Sequence, residues 1–505
     1  MQNRPTGKII HPFLLGIYPV VMLLAYNLEA VNARSALRPL LLSLLGTVLL
    51  LMASRWLLGS WQKSALVTSS ALVFFFSYGH VYNYIEPINV AALQIGRHRF
   101  LAPVWLALFL TSVWWVQAGK AKLPPLNRSL NLLAGLILIF PLGQMGLFAY
   151  RSLEAGTGTA PANAQLASLK APAGQSLPDI YYIILDGYAR DDILNKFYQL
   201  DNTGFLNRLK EMGFYIASCA QSNYAQTQLS LASSLNLNYL ESLDDRYVSG
   251  NTSRVGLPQL IKHSAIRQSL QDLGYTTVAF ETGYEATEIG DADVFLSPRT
   301  IQAMNDFESL FIRTTAGRLL AEGVAALNIK PDWEARDRAH RARVLYTLEK
   351  LPTIPDLEGP KFVFAHILSP HWPHVFGPNG EPVHEHQDSA SGYRDQVIFI
   401  NKKFGPILAE IIAKSPLPPI IVVQGDHGSI IESPVRRMSI FNAYYLPNGG
   451  DKQLYENISP VNSFRMIFDY YLGADYELLP DISYYSQYDQ PYAYTLVPEE
   501  RPGCP

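Results

Sequence analysis

Residues Pro418 to Gly428 read Pro-Pro-Ile-Ile-Val-Val-Gln-Gly-Asp-His-Gly, and this stretch decides the fold of the region around it. The apolar residues between the prolines and the first glycine predict a buried β-strand. Asp426 and His427 then stand at the carboxyl end of that strand, where open α/β sheets gather their ligands. A carboxylate beside an imidazole is a suitable pair of ligands for zinc or manganese. The simpler interpretation is that this stretch only forms a turn.

Outward from this strand, strand-like and helix-like segments alternate from Pro178 onwards. This alternation favours an α/β domain with a mostly parallel sheet sandwiched by helices. The predicted strands are Asp179–Leu185, Phe214–Ala217, Tyr275–Phe280, Lys361–Leu368 and Ile420–Val423, and the predicted helices are Asp191–Leu200, Thr203–Met212, Ser264–Gly274, Arg341–Leu351 and Arg394–Lys414.

The first third of the 505-residue chain is apolar and predicts a membrane domain. Its five apolar segments are Pro12–Leu28, Leu37–Leu58, Ala65–Tyr84, Phe100–Ala118 and Leu130–Tyr150. Each approaches the ~20 residues that a helix needs to cross a bilayer. We therefore predict a five-helix transmembrane domain over residues 1–152, a linker rich in small residues over 153–177, and an α/β domain over 178–505.

The distribution of basic residues predicts the orientation of these helices. One side would hold Arg4, Lys8, Arg55, Lys63, Lys120, Lys122 and Arg128, and the other Arg34, Arg38, Arg97 and Arg99. This bias favours a cytoplasmic N-terminus, so five spans place the α/β domain outside the cytoplasm. A net charge of −3 does not indicate a nucleic-acid partner. Cys219 and Cys504 can form one disulfide, which the sequence does not decide.

Four further residues lie at or just beyond predicted strand or helix ends. Asp186 directly follows the predicted strand Asp179–Leu185. The simpler interpretation is that Asp186 is a turn residue. Thr227 precedes the helical pattern Leu229–Leu235, where a hydroxyl is an ordinary N-cap, although a helix N-terminus also suits a phosphoryl group. His366 and His371 end another apolar strand, and metal ligation, phosphate contact and proton transfer are all open to them.

The order and context of these residues resemble those of the alkaline phosphatase superfamily. The closest likeness is to its membrane-bound sulfatase-like branch, which includes lipoteichoic acid synthases and lipid A phosphoethanolamine transferases. Those proteins carry five transmembrane helices followed by an extracytoplasmic catalytic domain, so the likeness covers almost the whole chain. The formylglycine motif of the sulfatases is absent from this sequence, which speaks against sulfate ester hydrolysis by that route.

The resemblance implies roles for individual residues. Thr227 would be the nucleophile, three positions before a serine, and would share a divalent metal, zinc or manganese, with Asp186, Asp426 and His427. His366 and His371 would bind phosphate oxygens or protonate the leaving group. The transferases more often have Glu at the position of Asp186. They also tend to have a further histidine after the Asp-His-Gly stretch, where this chain offers Arg436 and Arg437. These arginines would be either phosphate contacts or ordinary surface charges, and without that histidine the resemblance does not imply a second metal.

The implied function is metal-dependent transfer of a phospholipid-derived headgroup, of phosphoethanolamine or phosphoglycerol type, through a phospho-threonine intermediate. The donor would be a membrane phospholipid and the acceptor an envelope glycan or lipid. One alternative is a membrane-anchored phosphodiesterase or phosphatase with water as acceptor. Another is a catalytically silent envelope scaffold. The resemblance places the protein in the cytoplasmic (inner) membrane, as an integral multi-pass protein with an extracytoplasmic catalytic domain.

Overall fold

The structure is a computed structural model that describes residues 8–28, 31–86, 88–90, 93–94, 97–119, 123–156, 169–170, 176–298, 305–319, 335–383, 389–429, 433–499 and 501–504. Most of the predicted linker, and the basic residues Arg4, Lys120 and Lys122, lie outside these ranges. The chain divides into two compact units. Residues 1–151 and 302–336 form the first unit, and residues 152–301 and 337–505 form the second.

The first unit contains the five predicted apolar helices. They are α1 His11–Tyr26, α2 Leu37–Leu58, α3 Trp61–Ile85, α4 His98–Gln117 and α5 Leu123–Gly156, with a short hairpin of β1 Asn89–Val90 and β2 Leu93–Gln94. The last four helices are long and apolar enough to cross a membrane. Helix α1 has 16 residues, about 24 Å at 1.5 Å per residue, and is the shortest of the five, as predicted.

Residues 302–336 belong to the first unit, which the predicted domain division did not anticipate. The amide of Ala316 donates to the carbonyl of Phe75 at 2.7 Å, and Phe307 is buried beside Val20 and Leu24 of α1. A segment that follows the first part of the α/β domain in sequence therefore packs on the membrane helices.

The second unit is built on a seven-stranded sheet with the order β4-β9-β8-β3-β7-β5-β6. All neighbouring strands are parallel except β9, which runs antiparallel to β4 and β8. The strands are β3 Ile180–Leu185, β4 Tyr215–Ile216, β5 Thr276–Phe280, β6 Val294–Leu296, β7 Lys361–Ile367, β8 Ile420–Gln424 and β9 Asn442–Tyr445, and a separate hairpin pairs β10 Tyr484–Tyr485 with β11 Thr495–Leu496.

Helices cover both faces of this sheet, which confirms the predicted fold class. In chain order the helices are α6 Asp191–Tyr198, α7 Thr203–Glu211, α8 Thr227–Ser234, α9 Leu240–Leu243, α10 Leu257–Lys262, α11 Ala265–Asp272, α12 Asp306–Arg313 of the first unit, α13 Ala335–Lys350, α14 Ser389–Lys414, α15 Pro434–Met438 and α16 Pro460–Leu472.

Strand β3 is buried on both sides, as its unbroken apolar sequence predicts. Alternate side chains of the strand enter two separate cores, with Tyr182 in one and Tyr181 in the other. Helices α8, α10, α11 and α16 supply the first core, and helices α6, α7, α13 and α14 supply the second. The structure also answers the question left open for the cysteines, because Cys219 and Cys504 form a disulfide.

Candidate metal and phosphate site

Three neighbouring parallel strands bring the predicted site residues to one edge of the sheet. Strand β3 lies between β8 and β7, and Asp186 directly follows it. His366 lies near the end of β7, opposite Ile184 of β3, and Asp426 and His427 follow β8. Because carboxyl ends of parallel strands meet at one edge, residues far apart in sequence become neighbours.

The carboxylate of Asp186 is the centre of the resulting cluster. Its Oδ2 lies 3.2 Å from Nε2 of His366, and its Oδ1 lies 3.6 Å from Nε2 of His427. Asp186 shares one possible metal-binding group with His366 and Asp426, and another with His371 and His427. Burial would raise the pKa of the Asp186 carboxyl, but interactions with the neighbouring imidazoles of His371, His366 and His427 outweigh burial and hold that pKa well below its usual value.

His427 presents an unprotonated nitrogen to this cluster. Its Nδ1 lies 2.9 Å from the carbonyl oxygen of Gly428, which can only accept, so Nδ1 carries the proton. Burial, followed by the nearby charge of Arg437, lowers the pKa of His427 to about 4. The ring is therefore neutral at neutral pH, and Nε2 offers a lone pair as a metal ligand or base.

Thr227 is the first residue of α8, and its hydroxyl faces His427 rather than capping the helix. The N-cap position is occupied by Gln226, whose side chain does not cap the helix. The Thr227 Oγ1 atom lies 3.2 Å from Nε2 of His427. The N-cap role that we weighed from sequence is thus wrong. The hydroxyl stands at the positive end of a helix, where a phosphoryl group is favoured.

The donor set of the cluster fits a divalent cation. Oδ1 of Asp186, Oδ2 of Asp426 and Nε2 of His366 are buried and lack a hydrogen-bond partner among the described residues. Buried, unpaired carboxylate oxygens are costly, so a ligand at these atoms would remove a penalty. The other oxygen of Asp426 accepts the amide of Gly187 at 3.0 Å, which leaves Oδ2 for the cluster. Gly187 has φ +72, a conformation that favours glycine.

The hydrogen bonds of His366 give a second indication of a cation. Thr287 can donate its proton to the carbonyl of Tyr284 at 3.3 Å, so that its oxygen accepts Nδ1–H of His366 at 2.8 Å. In that tautomer Nε2 of His366 turns a lone pair toward the Asp186 carboxylate, and in the other tautomer Nε2–H faces that carboxylate at 3.2 Å. A proton or a metal ion between these two atoms removes their repulsion, so His366 is a candidate metal ligand as well as a phosphate contact.

The two tentative arginines occupy different environments. Arg437 is buried, and its guanidinium donates to the carbonyls of Ala225 at 2.6 Å and Gly428 at 3.3 Å. It therefore ties the segment before Thr227 to the loop after His427. Arg436 instead stacks 3.8 Å above the ring of Phe197 and lines a separate pocket of about 840 Å³. Phosphate contact by either arginine stays a prediction.

Sequence reasoning missed Thr287 and did not foresee the positioning role of Arg437. Thr287 lies in a segment without a regular pattern, and the hydrogen-bonding histidine is 79 positions away. Arg437 was predicted as a phosphate contact or a surface charge, and its bond to Ala225 spans 212 positions. A polar residue soon after a predicted strand was the one available signal for Thr287, because strand β5 ends at Phe280. In contrast, the six residues predicted as metal ligands, nucleophile or phosphate-binding histidines come together, whereas the predicted phosphate contact Arg436 lines a separate pocket.

Several solved structures are similar to this chain at low identity. Lipooligosaccharide phosphoethanolamine transferase A (EptA) from Neisseria meningitidis, an integral membrane protein, matches at 11% identity and a TM-score of 0.42, over 92% of this chain and 96% of that one. The periplasmic domain of EcEptC from Escherichia coli, in complex with Zn, matches at 13% and 0.38, over 61% of this chain and 86% of that one.

A protein in the alkaline phosphatase superfamily from Vibrio parahaemolyticus matches at 12% identity and a TM-score of 0.38, over 67% of this chain and 82% of that one. No protein-family model and no curated protein matches the sequence. Because every TM-score quoted is below 0.5, the chemistry of this chain is inferred from its own residues.

Proposed function

We propose that this protein transfers a phosphoryl headgroup from a membrane phospholipid to an envelope glycan or lipid, with Thr227 as the nucleophile. The observation that carries the proposal is the Thr227 hydroxyl, 3.2 Å from the lone-pair nitrogen of His427 and at the start of a helix. A nucleophile beside a metal-binding imidazole can be activated by coordination to the same cation, which is one of the arrangements that covalent catalysis uses.

Asp186, Asp426 and His427 would hold a divalent cation together with Thr227, and His366 is a further candidate ligand. When bound, zinc or manganese would neutralise charge on the transferred group and favour the ionised form of the Thr227 hydroxyl. The buried oxygens of Asp186 and Asp426 that lack partners supply the negative charge for this role.

The chain's own residues account for the remaining steps. Thr227 Oγ1 gives its proton to solvent water and forms a bond to phosphorus, while the bond from phosphorus to the diacylglycerol oxygen breaks. His371 protonates that leaving oxygen, because it is the partly exposed imidazole of the cluster and can exchange protons with solvent. The acceptor hydroxyl then gives its proton to the deprotonated His371 and attacks phosphorus, while the bond from phosphorus to Thr227 Oγ1 breaks. Thr227 Oγ1 regains a proton from solvent.

The location of the substrate follows from the membrane helices. A chain with four helices of membrane-spanning length can keep a phospholipid donor close to a catalytic domain. We place the N-terminus in the cytoplasm and the catalytic domain outside it. Residues 302–336 favour this topology, since they contact Ser35 before α2 and Asn83 near the end of α3, the helix ends that the basic residues assign to the outside.

Covalent labelling tests the proposal. The purified full chain is incubated, with zinc or manganese and without acceptor, with phosphatidylethanolamine or phosphatidylglycerol that carries a labelled headgroup. We expect label on the peptide that contains Thr227, and none in Thr227→Ala. Thr203→Ala is the matched control, because Thr203 is also the first residue of a helix in the same unit. Label that survives in Thr227→Ala contradicts the nucleophile assignment.

The same incubation separates transfer from hydrolysis. After labelling, we add envelope extract or buffer alone and follow the headgroup. Label that reaches a glycan or lipid supports transfer, whereas release into water at an equal rate with and without extract indicates a phosphodiesterase. A wild-type protein that binds metal and is never labelled would favour the scaffold instead.

A further inference from the structure

An apolar groove of about 600 Å³ lies on the first unit, between α2, α3 and α12. Its floor and walls include Leu42 and Gly46 of α2, Phe75 of α3, and Phe311 and Ile312 of α12. Leu42 is 66% exposed and Phe75 is 38% exposed, so the groove opens to the surroundings of the helices. Its volume lies within the ~300–1,000 Å³ range of small-molecule sites.

Two charged side chains line this groove, Arg38 in the first turn of α2 and Glu308 on α12. Arg38 of α2 lies against Glu308 of α12, with Nε–Oε1 at 2.8 Å and Nη2–Oε2 at 2.9 Å. Glu308 is fixed in place because it forms a capping box with Asn305 at the start of α12. The Arg38 side chain is 54% exposed, and this pair engages two of the five N–H donors of its guanidinium.

The length of the groove matches one leaflet of a bilayer. It runs along α2 from Arg38 to Leu50, which is about 18 Å at 1.5 Å per residue. Half of the ~30 Å hydrocarbon core of a bilayer is about 15 Å. An acyl chain that lies along α2 would therefore leave its headgroup level with Arg38.

We infer that this groove binds one phospholipid, with one acyl chain along α2 and its phosphate against the exposed edge of Arg38. A guanidinium matches phosphate geometry, and Glu308 holds the guanidinium at the mouth of an otherwise apolar groove. The inference goes beyond the proposed function, because it concerns binding on the first unit and makes no statement about turnover.

Gly46 gives a direct test. A Cβ atom at Gly46 would meet no atom within 4 Å, and Gly46 lines the groove, so a larger side chain at this position would occupy space in the groove. Gly143 of α5 is the matched control, since it also lies in an apolar helix and has open space at its Cβ position. Gly46→Leu and Gly143→Leu are compared in the full chain, each reconstituted in lipid nanodiscs.

The probe is a phosphatidylethanolamine with a photoreactive group on one acyl chain, and its crosslinks are mapped by mass spectrometry. We expect crosslinks on α2 and α12 in the wild type, about tenfold fewer in Gly46→Leu, and an unchanged number in Gly143→Leu. Equal labelling of both variants overturns the inference. Crosslinks that are spread evenly over all lipid-facing helices of the wild type would indicate annular lipid only. That result overturns the inference even before the variants are compared.

Competition with unlabelled lipids tests the phosphate contact. Unlabelled phospholipid should displace the probe about tenfold better than diacylglycerol does, and Arg38→Gln should abolish that difference. An unchanged preference in Arg38→Gln contradicts the contact. Thr227→Ala should crosslink like the wild type, so failure of the lipid site and failure of the proposed chemistry give different results.

Discussion

The hydroxyl of Thr227 lies 3.2 Å from Nε2 of His427, although 200 positions separate them in sequence. His427 follows β8 and Thr227 begins α8, so two separate elements must be held in register for this contact to form. His427 is neutral because burial lowers its pKa to about 4, which leaves Nε2 free to accept a proton or a metal. The proposed chemistry depends on this contact between Thr227 and His427, and substitutions of the residues around it can test the proposal.

Removal of the metal should destabilise the protein. A ligand present at 100 times its Kd stabilises the folded state by about 2.7 kcal/mol, so chelation should lower the unfolding temperature by several degrees and zinc or manganese should restore it. Asp426→Asn should be insensitive to both treatments, because Asp426 provides a buried oxygen without a partner. Asp201→Asn, at an exposed carboxylate, should respond like the wild type. An equal response to chelation in Asp426→Asn would place the metal elsewhere.

Thr287 should act as a positioning residue for His366. Thr287→Val removes the hydroxyl that contacts Nδ1 of His366 at 2.8 Å. Loss of such an outer contact to a metal-binding imidazole costs about 10–100-fold in metal affinity or activity. Thr287→Ser should restore most of the loss, and titration with metal should show that affinity and turnover fall together in Thr287→Val. A normal metal affinity in Thr287→Val argues against this role.

Arg437 should contribute to stability and Arg436 should not. Arg437→Gln removes the guanidinium that holds the carbonyls of Ala225 and Gly428, both of which are buried. The Gly428 carbonyl keeps its contact with Nδ1 of His427, but the Ala225 carbonyl loses its side-chain partner. A buried group without a partner costs about 1–3 kcal/mol, which chemical denaturation can measure. Arg436→Gln is the matched control, because that side chain stacks on Phe197 at the wall of a pocket. Equal losses in the two variants would contradict the assigned role of Arg437.

The disulfide should stabilise the second unit. Cys219 and Cys504 are 285 positions apart, and the same C-terminal segment is held by Arg190 to Glu499 at 2.6 Å and by Arg501 to Asp191 at 3.0 Å. Loss of a disulfide typically costs about 2–4 kcal/mol. A reductant should therefore lower the unfolding midpoint of the wild type and leave that of the double Cys→Ser variant unchanged. Equal midpoints for wild type and variant under oxidising conditions would show that the bond contributes little.

The sequence predicts the sheet well because its strands are buried on both faces. Ile180–Leu185 and Ile420–Val423 are unbroken apolar runs. Asp186 follows the first run directly, and Asp426 follows the second after Gln424 and Gly425. Because β3 and β8 pair in parallel, Asp186 and Asp426 lie together at the same edge of the sheet. The helix at Thr227 was also predicted, but whether its hydroxyl caps the helix or faces the site depends on backbone geometry that the sequence does not contain.

Long-range contacts were beyond prediction for a physical reason. The pairing of Cys219 with Cys504, and the bonds of Arg437, depend on where distant loops are placed by the sheet. Residues 302–336 lack a long apolar run, so the sequence did not indicate that they pack on the membrane helices. Their amphipathic helix α12 buries Phe307 there, and this packing creates the groove beside Arg38.

A metal-bound structure of the full chain tests the central claim most directly. Anomalous scattering from bound zinc or manganese would locate the ion. The account predicts one ion with oxygens of Asp186 and Asp426 and Nε2 of His427 at about 2.0–2.2 Å, and with Thr227 Oγ1 in the same coordination shell. An ion bound away from Asp426 and His427, or one whose coordination shell excludes Thr227, would contradict the account.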